Sequence, residues 1–231
     1  MEYNLSCSFP EKNSHRYTNE ANLLLETGLI FLGNMPKALP TITASYKEFA
    51  ACSTLHRGYY HPSPVYDLII GNAKRGRLVR NSAANNMSHC YYYDDEHRLF
   101  RVDSYYRGSV SHTEYLRQTN QTIFGFTVDC NGCLSAVCRE IYDNGRLVSL
   151  GLMHCVRTNG QYHCFEYTEE HYRYDEQGLC TSNFGVYRPG STYAICDTYE
   201  YHRENGCLVS YINCAYPDRC YRIAKSKQRK A

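Results

Sequence analysis

Apolar and polar positions along this 231-residue chain change rhythm near residue 64. Before that point, NEANLLLETGLIFLG (Asn19–Gly33) crowds its apolar residues onto a helical period and stops at a glycine. The connector NMPKALPTI (Asn34–Ile42) carries two prolines. SYKEFAACSTLHRG (Ser45–Gly58) then opens with Ser45 and has Glu48 three residues on, the spacing of a capping box. Phe49, Cys52 and Leu55 would form its inner face, and Gly58 would end it. The pattern predicts two short helices and a linker over residues 1–63, closed by His61-Pro-Ser-Pro64.

From Val65 onward the punctuation is that of β-hairpins. Asn-Gly, the preferred two-residue loop of a type I′ turn, occurs four times: Asn131-Gly132, Asn144-Gly145, Asn159-Gly160 and Asn205-Gly206. Weaker turns at Asp95–His97, Arg107-Gly108, Thr119-Asn120, Glu176–Gly178 and Arg188–Ser191 fill the gaps. Strands are predicted near 65–71, 77–82, 88–94, 98–106, 109–117, 122–130, 133–143, 146–158, 161–175, 179–187, 192–204 and 207–215. Every connection is short, so consecutive strands should be antiparallel neighbours. The expected fold is mainly β: an up-and-down antiparallel meander of roughly ten or more strands, as a curled open sheet, a sandwich or a barrel. The hairpin domain spans 64–216, between the N-terminal helical segment and a basic tail over 217–231.

The clearest hairpin, REIYDNGRLVSLG (Arg139–Gly151), predicts its own register. With Asn144-Gly145 as the loop, Asp143 faces Arg146, Tyr142 faces Leu147, Ile141 faces Val148 and Arg139 faces Leu150. Acid opposite base and aliphatic opposite β-branched residue are favourable cross-strand pairs.

Four segments share a loose aromatic-x-[YV]-[DH]-x-x-G-x-L pattern: FTVDCNGCLSAV (Phe126–Val137), IYDNGRLVS (Ile141–Ser149), YRYDEQGLCTS (Tyr172–Ser182) and YEYHRENGCLVS (Tyr199–Ser210). YYYDDEHRLFRV (Tyr91–Val102) is a copy without the glycine. The pattern, confined to about residues 91–216, resembles the YD repeat of Rhs and teneurin-type proteins and the hairpin repeats of MORN-like antitoxins. The resemblance implies stacked hairpins that bind other proteins; it transfers no catalytic residues.

Composition sharpens this reading. There are 24 tyrosines against 8 phenylalanines and no tryptophan, which suits half-buried pleated surfaces where the ring packs and the hydroxyl stays wet. A formal charge of +2 with 21% charged residues speaks against disorder and against an acidic nucleic-acid mimic. The 13 cysteines are odd in number, Glu26 interrupts the apolar run Leu23–Gly33, and no run reaches membrane-spanning length. A cytoplasmic protein with reduced thiols, making no membrane contact, is expected.

Candidate chemistry is sparse. The cysteines Cys130 and Cys133 flank one Asn-Gly loop and are expected to lie opposite one another, and Cys155 lies opposite Cys164 in another hairpin. These four are weak metal candidates, since the two turns are expected at opposite ends of neighbouring strands; small apolar filler is the simpler role. Basic residues Lys74, Arg75, Arg77 and Arg80, with the tail residues Lys225, Lys227, Arg229 and Lys230, are placed to meet phosphates. Tyr91, Tyr92, Tyr93, Tyr105 and Tyr106 are placed to stack on bases or a protein partner. No P-loop, nucleophile elbow, dinucleotide fingerprint or HExxH motif is present, so no catalytic residue and no cofactor is expected. Glu169, Glu170 and His171 are consecutive and alternate strand faces, while Leu55–His61, LHRGYYH, reads as surface near a helix end. The expectation is a non-enzymatic module that binds a single protein partner, as an immunity protein, antitoxin or phage-encoded inhibitor does. The alternatives are a barrel holding a small ligand, or a protein that binds RNA or single-stranded nucleic acid.

Overall fold

The computed structural model describes residues 12–38, 44–70, 72–80, 86–190, 195–224 and 227. Thirteen strands form one antiparallel sheet: β1 (Tyr46–Ala51), β2 (Arg77–Val79), β3 (Met87–Tyr93), β4 (Leu99–Tyr106), β5 (Ser109–Thr119), β6 (Thr122–Asp129), β7 (Leu134–Asp143), β8 (Arg146–Thr158), β9 (Gln161–Asp175), β10 (Gly178–Tyr187), β11 (Ile195–Glu204), β12 (Cys207–Asn213) and β13 (Cys220–Arg222). From β3 to β13 the order in the sheet is the order in the chain, and β1 then β2 extend the β3 side. The sheet is open, with β2 and β13 as its edges, so the barrel form is excluded.

The N-terminal half departs from the pattern reading. One long helix, α1 (Lys12–Ala38), replaces the first short helix, and the second predicted helix is β1. Ser45 and Glu48 do not cap a helix. The Ser45 hydroxyl donates to the Tyr93 and Asp94 carbonyls, and Glu48 accepts hydrogen bonds from the Tyr60 and Tyr93 hydroxyls. Pairing to β3 and β2 on its two sides satisfies the backbone of β1, which outweighs a weak helical preference. The strand expected over 65–71 is a single helical turn, α2 (Tyr66–Ile69), and β13 had no turn signal to announce it. The sheet takes in β1 and β13, so it crosses both proposed domain limits.

The hairpins follow the turn chemistry. Asn144-Gly145, Asn159-Gly160 and Asn205-Gly206 have positive φ at both positions, as type I′ turns require, and Arg107-Gly108 joins them. Asn131-Gly132 differs. Gly132 alone is left-handed, its N–H donates to the Asp129 carbonyl, and Asp129 Oδ1 accepts the Asn131 and Cys133 amides. Cys130 and Cys133 are therefore not a facing pair. The glycine-free copy repeats this arrangement, with His97 at φ 59° in the glycine's place and Asp94 as the accepting side chain.

Register reveals what the repeat encodes. Asp143 pairs with Arg146 and Tyr142 with Leu147, as expected, but Ile141 then pairs with Ser149 and Arg139 with Gly151. Val148 is a bulge. The same extra residue follows the first aliphatic of the returning strand at Phe100, Ser111, Ser135, Cys180 and Val209. The G-x-[LV]-x signature thus specifies a turn and a bulge two to three residues later. Each bulge adds right-handed twist, which keeps so wide a sheet from lying flat.

The two sheet faces are covered differently. On one, α1 crosses the strands, with Tyr17, Ala21, Leu24 and Phe31 packed against Phe126, Val137, Met153, Tyr167 and Tyr187. The Phe31 ring stacks on Phe126 with centroids 4.1 Å apart. Arg16–Glu169 and Arg139–Glu20 ion pairs flank the seam. The other face is crossed by residues 52–76, whose Val65 and Leu68 bury against Leu150, Tyr172, Leu179 and Leu208. No helix among the described residues is long and apolar enough to cross a membrane.

Helix and sheet approach most closely at Gly28, where an added Cβ would lie 2.5 Å from Val137 Cγ2 and 2.7 Å from Leu134 Cδ2. Gly28→Val should therefore destabilise the protein by about 1–3 kcal/mol through overpacking, despite valine's better helix propensity. Urea unfolding of the variant against the parent chain measures this.

Candidate functional site

On the crossed face, carboxylates point inward from alternate strands: Glu114 on β5, Glu140 on β7 and Glu170 on β9. Each is at most 4% exposed. An inward carboxylate is costly unless paired, and the crossing segment supplies the partners. It leaves β1 through Cys52 at φ 61° and turns a corner at Arg57 and Gly58, both left-handed. A Cβ on Gly58 would lie 2.5 Å from His89 Nδ1 and from the Tyr91 hydroxyl, so only glycine fits.

The corner aims Arg57 into the sheet. Its Nε and Nη2 donate to the two Glu114 oxygens at 2.9 and 2.7 Å, and Nη1 donates to Glu140 Oε1 at 2.5 Å. Glu140 Oε2 accepts the Tyr142 hydroxyl at 2.7 Å, and His56 Nε2 lies 3.3 Å from Glu114 Oε1. Space for this group exists because β6 has Gly125 beneath it; a Cβ there would sit 2.0 Å from Glu114 Oε1. Burial alone raises the Glu114 carboxyl, but the charge of Arg57, then of His56, outweighs it and holds the group well below the carboxylate range. Farther along, Ser63 and Tyr172 both donate to Glu170 Oε2, at 2.7 and 2.5 Å. Burial still pushes the Glu170 carboxyl up to about 7.

Two cavities flank this crossing, and Pro62 lines both. The larger, about 850 Å³, is a cationic cleft. Among the described residues Lys74, Arg75, Arg77 and Lys227 line it with Asp67 as the one carboxylate, a formal excess of three positive charges. Arg75 is also a strut: it donates to Asp67 Oδ1 at 3.0 Å, to the His61 carbonyl at 2.7 Å and to the Ser63 carbonyl. Lys227 Nζ donates to the Asp67 carbonyl at 2.6 Å. The smaller cavity, about 470 Å³, lies over β4 to β7 and has Arg57 and Glu140 among its lining residues.

Of the basic residues read from the sequence, Lys74, Arg75 and Arg77 come together at the cleft, and Arg80 is exposed beyond it. Lys227 joins them from the tail, whose Lys225, Arg229 and Lys230 lie outside the described residues. The tyrosines do not assemble into a platform. Tyr91 is fully buried, donating to the Arg57 carbonyl and accepting the Tyr59 amide. Tyr92 donates to Asp103 between Lys47 and Arg101, and Tyr93 donates to Glu48 while stacking on Tyr46. Tyr105 is half-buried; Tyr106 is 64% exposed, with Arg107 over its ring.

The cysteine turns also differ from expectation. In a meander, turns two strands apart fall at the same end, so the 129–133 and 158–161 turns are neighbours. Arg157 accordingly reaches Cys133 Sγ, and Cys155 donates to the Leu134 carbonyl. Cys155 and Cys164 do face each other, whereas Cys130 is exposed on its turn. Among the described residues every cysteine is a free thiol, and no three histidine, cysteine or carboxylate side chains converge closely enough to hold a metal ion.

Sequence reasoning placed Leu55–His61 on the surface, yet Arg57 and His61 are buried. The available signal was the trio Glu114, Glu140 and Glu170 within apolar strands: inward acids demand a buried base, and Arg57-Gly58 is the one left-handed corner that supplies it.

Arg57→Met strands two buried carboxylates, and the expected loss of stability is about 3–5 kcal/mol by urea titration. The pH response follows from the histidines. Burial, then the charge of His56, lowers His61, His89 and His154, the last two to about 4. Below the ordinary histidine value of about 6.5 the unfolded chain takes up protons the folded chain refuses, so stability falls as pH drops toward 4. Glu170 acts oppositely, because its raised carboxyl costs stability as pH rises from about 4.5 to 7. Three histidines outweigh one carboxyl, so the urea midpoint should fall between pH 7 and pH 5. Glu170→Gln should deepen that fall, by removing the opposing contribution.

No protein-family model and no curated protein significantly matches this chain, so the role of the crossed face rests on its own chemistry.

Proposed function

We propose that this protein is a non-enzymatic binding module that holds an acidic segment of one protein partner in the cationic cleft of the crossed face. The observation that carries this reading is the grouping of Lys74, Arg77 and Lys227 around a frame fixed by Arg75. Long cations grouped beside a rigid strut offer charge complementarity to an acidic segment. The crossing segment that carries this frame is itself held to the sheet by the buried Arg57 ion pairs.

A protein partner is favoured over nucleic acid because, among the described residues, Tyr59 alone offers an aromatic ring to the cleft, which is no stacking platform. Phosphate neutralisation without stacking or base-edge contacts leaves little selectivity. In its narrower form the module is an inhibitor, of the immunity-protein or antitoxin kind, that blocks an effector by shape and charge. The hairpin repeat resembling YD and MORN-like antitoxin repeats supports this form.

Lys74→Glu combined with Arg77→Glu should weaken binding of a ten-residue poly-glutamate peptide by about tenfold or more, and the wild-type affinity should fall with added salt. Both side chains are exposed, so the melting temperature should stay unchanged. Fluorescence anisotropy measures the affinity. Undiminished peptide binding by the variant would overturn the reading, and tighter binding of single-stranded oligonucleotides than of the peptide would favour nucleic acid.

A further inference from the structure

The smaller cavity differs in charge from the cleft beside it. At its floor one guanidinium, Arg57, is shared by two carboxylates, Glu140 in the lining and Glu114 beneath it, and His56 lies 3.3 Å from Glu114; with that imidazole neutral the group carries an excess of one negative charge. Arg57 and Glu140 are 5% and 1% exposed, so water screens that excess poorly. The rim repeats the imbalance: Arg98 pairs with both Asp94 and Glu96, at 2.9 and 2.8 Å. Among the described residues the cavity is lined by two cations, Arg57 and Arg98, and two carboxylates, Asp94 and Glu140, and each cation is also engaged by a second acid outside the lining, Glu114 and Glu96.

The walls are apolar and aromatic. Tyr60, Phe100 and Tyr142 line the cavity with Leu99, Leu116 and Ile123. These six residues are only partly buried although they are large and apolar or aromatic. Two of the rings have oriented hydroxyls: Tyr142 donates to Glu140, and Tyr60 donates to Glu48. A further carboxylate, Glu48, thereby adds negative charge behind one wall. Phe100 is the bulge residue of β4, so the repeated hairpin geometry itself sets its place at the cavity.

A carboxylate ligand would be repelled by this arrangement. An uncharged apolar ligand would fill the walls but leave the floor's charge uncompensated. An organic cation with a short alkyl stem satisfies both, since its stem packs on the walls while its head meets aromatic rings and the negative floor. We infer that the cavity bounded by Tyr60, Phe100, Tyr142 and Glu140 is a binding site for an alkylammonium group, as presented by a lysine side chain. This site is separate from the cationic cleft across Pro62 and does not depend on an acidic segment binding there.

Isothermal titration of the full chain at pH 8, where an ordinary imidazole is neutral, tests the site with n-butylammonium, n-butanol and n-butyrate. Butylammonium should bind about tenfold or more tighter than butanol, with no detectable binding of butyrate. Equal affinity for butylammonium and butanol would overturn the proposal, as would absence of butylammonium binding. Glu140→Gln should lower the preference for the cation towards parity with butanol. Because that variant alters the buried ion pairs, Arg98→Ala is the companion. The Arg98 side chain is 62% exposed, so its loss should leave the fold intact, and removing a rim cation should tighten butylammonium binding several-fold. Weaker binding by Arg98→Ala would count against the electrostatic basis. N-acetyl-lysine methylamide, tested in parallel, separates the sources: affinity at least equal to butylammonium supports a peptide lysine, and much weaker affinity overturns that part of the inference.

Discussion

The interaction on which the rest depends is the contact of the Arg57 guanidinium with Glu114 and Glu140. A thirteen-stranded open sheet has two faces to cover, and α1 covers only one. The other face is closed by a segment with little regular structure, which must hold its path through specific contacts instead of a helical ladder. Arg57 provides them, bonded bidentately to β5 and singly to β7 across the glycine of β6. Removing Arg57 leaves two carboxylates stranded in a dry interface, and a side chain at Gly58 or Gly125 would occupy the space the group needs, which is why the two glycines and the two glutamates form one unit with the arginine.

That unit also shapes the surface. By pinning the segment across the sheet, it raises a ridge at Pro62 with a concavity on either side. Arg75 fixes one wall of the first, while Glu140 and Tyr142 form part of the second. The two concavities differ in charge because the ion pairs are unequal. Cations outnumber acids on the Lys74 side, and acids outnumber cations around Arg57 and Arg98. A partner segment carrying both an acidic stretch and a lysine would match this face across its width.

The repeated hairpins play a different part. Their turn residues set strand order and their bulges set twist, so they define the platform and not the chemistry on it. Val148 shows the limit of pattern reading. Asn144-Gly145 placed the first two pairs correctly, but the bulge shifted every later pair by one. A bulge is hard to see in a sequence because it breaks the alternation of a regular strand: Leu147 and Leu150 share one face although they are three residues apart. Read afterwards, the G-x-[LV]-x signature marks it at several hairpins. The cluster of Tyr91, Tyr92 and Tyr93 shows a second limit: adjacent tyrosines look like an exposed aromatic surface, yet each hydroxyl is committed to a different internal acceptor.

What the sequence determined by itself is local. Positive-φ dipeptides dictate tight turns, short spacings dictate antiparallel neighbours, and together they determine a meander from β3 to β12. Lys74, Arg75 and Arg77 could be singled out because adjacency in the chain kept them adjacent in space. Only the tertiary structure decided that Tyr46–Ala51 is a strand, that the sheet stays open, and that Arg57 lies beneath the surface. The physical reason is the same in each case. The backbone of β1 is satisfied by strands more than twenty residues away, and Arg57 is paired with acids 57 and 83 residues distant. Interactions of that span leave no periodicity in the sequence, only an isolated charge whose partner the fold must bring.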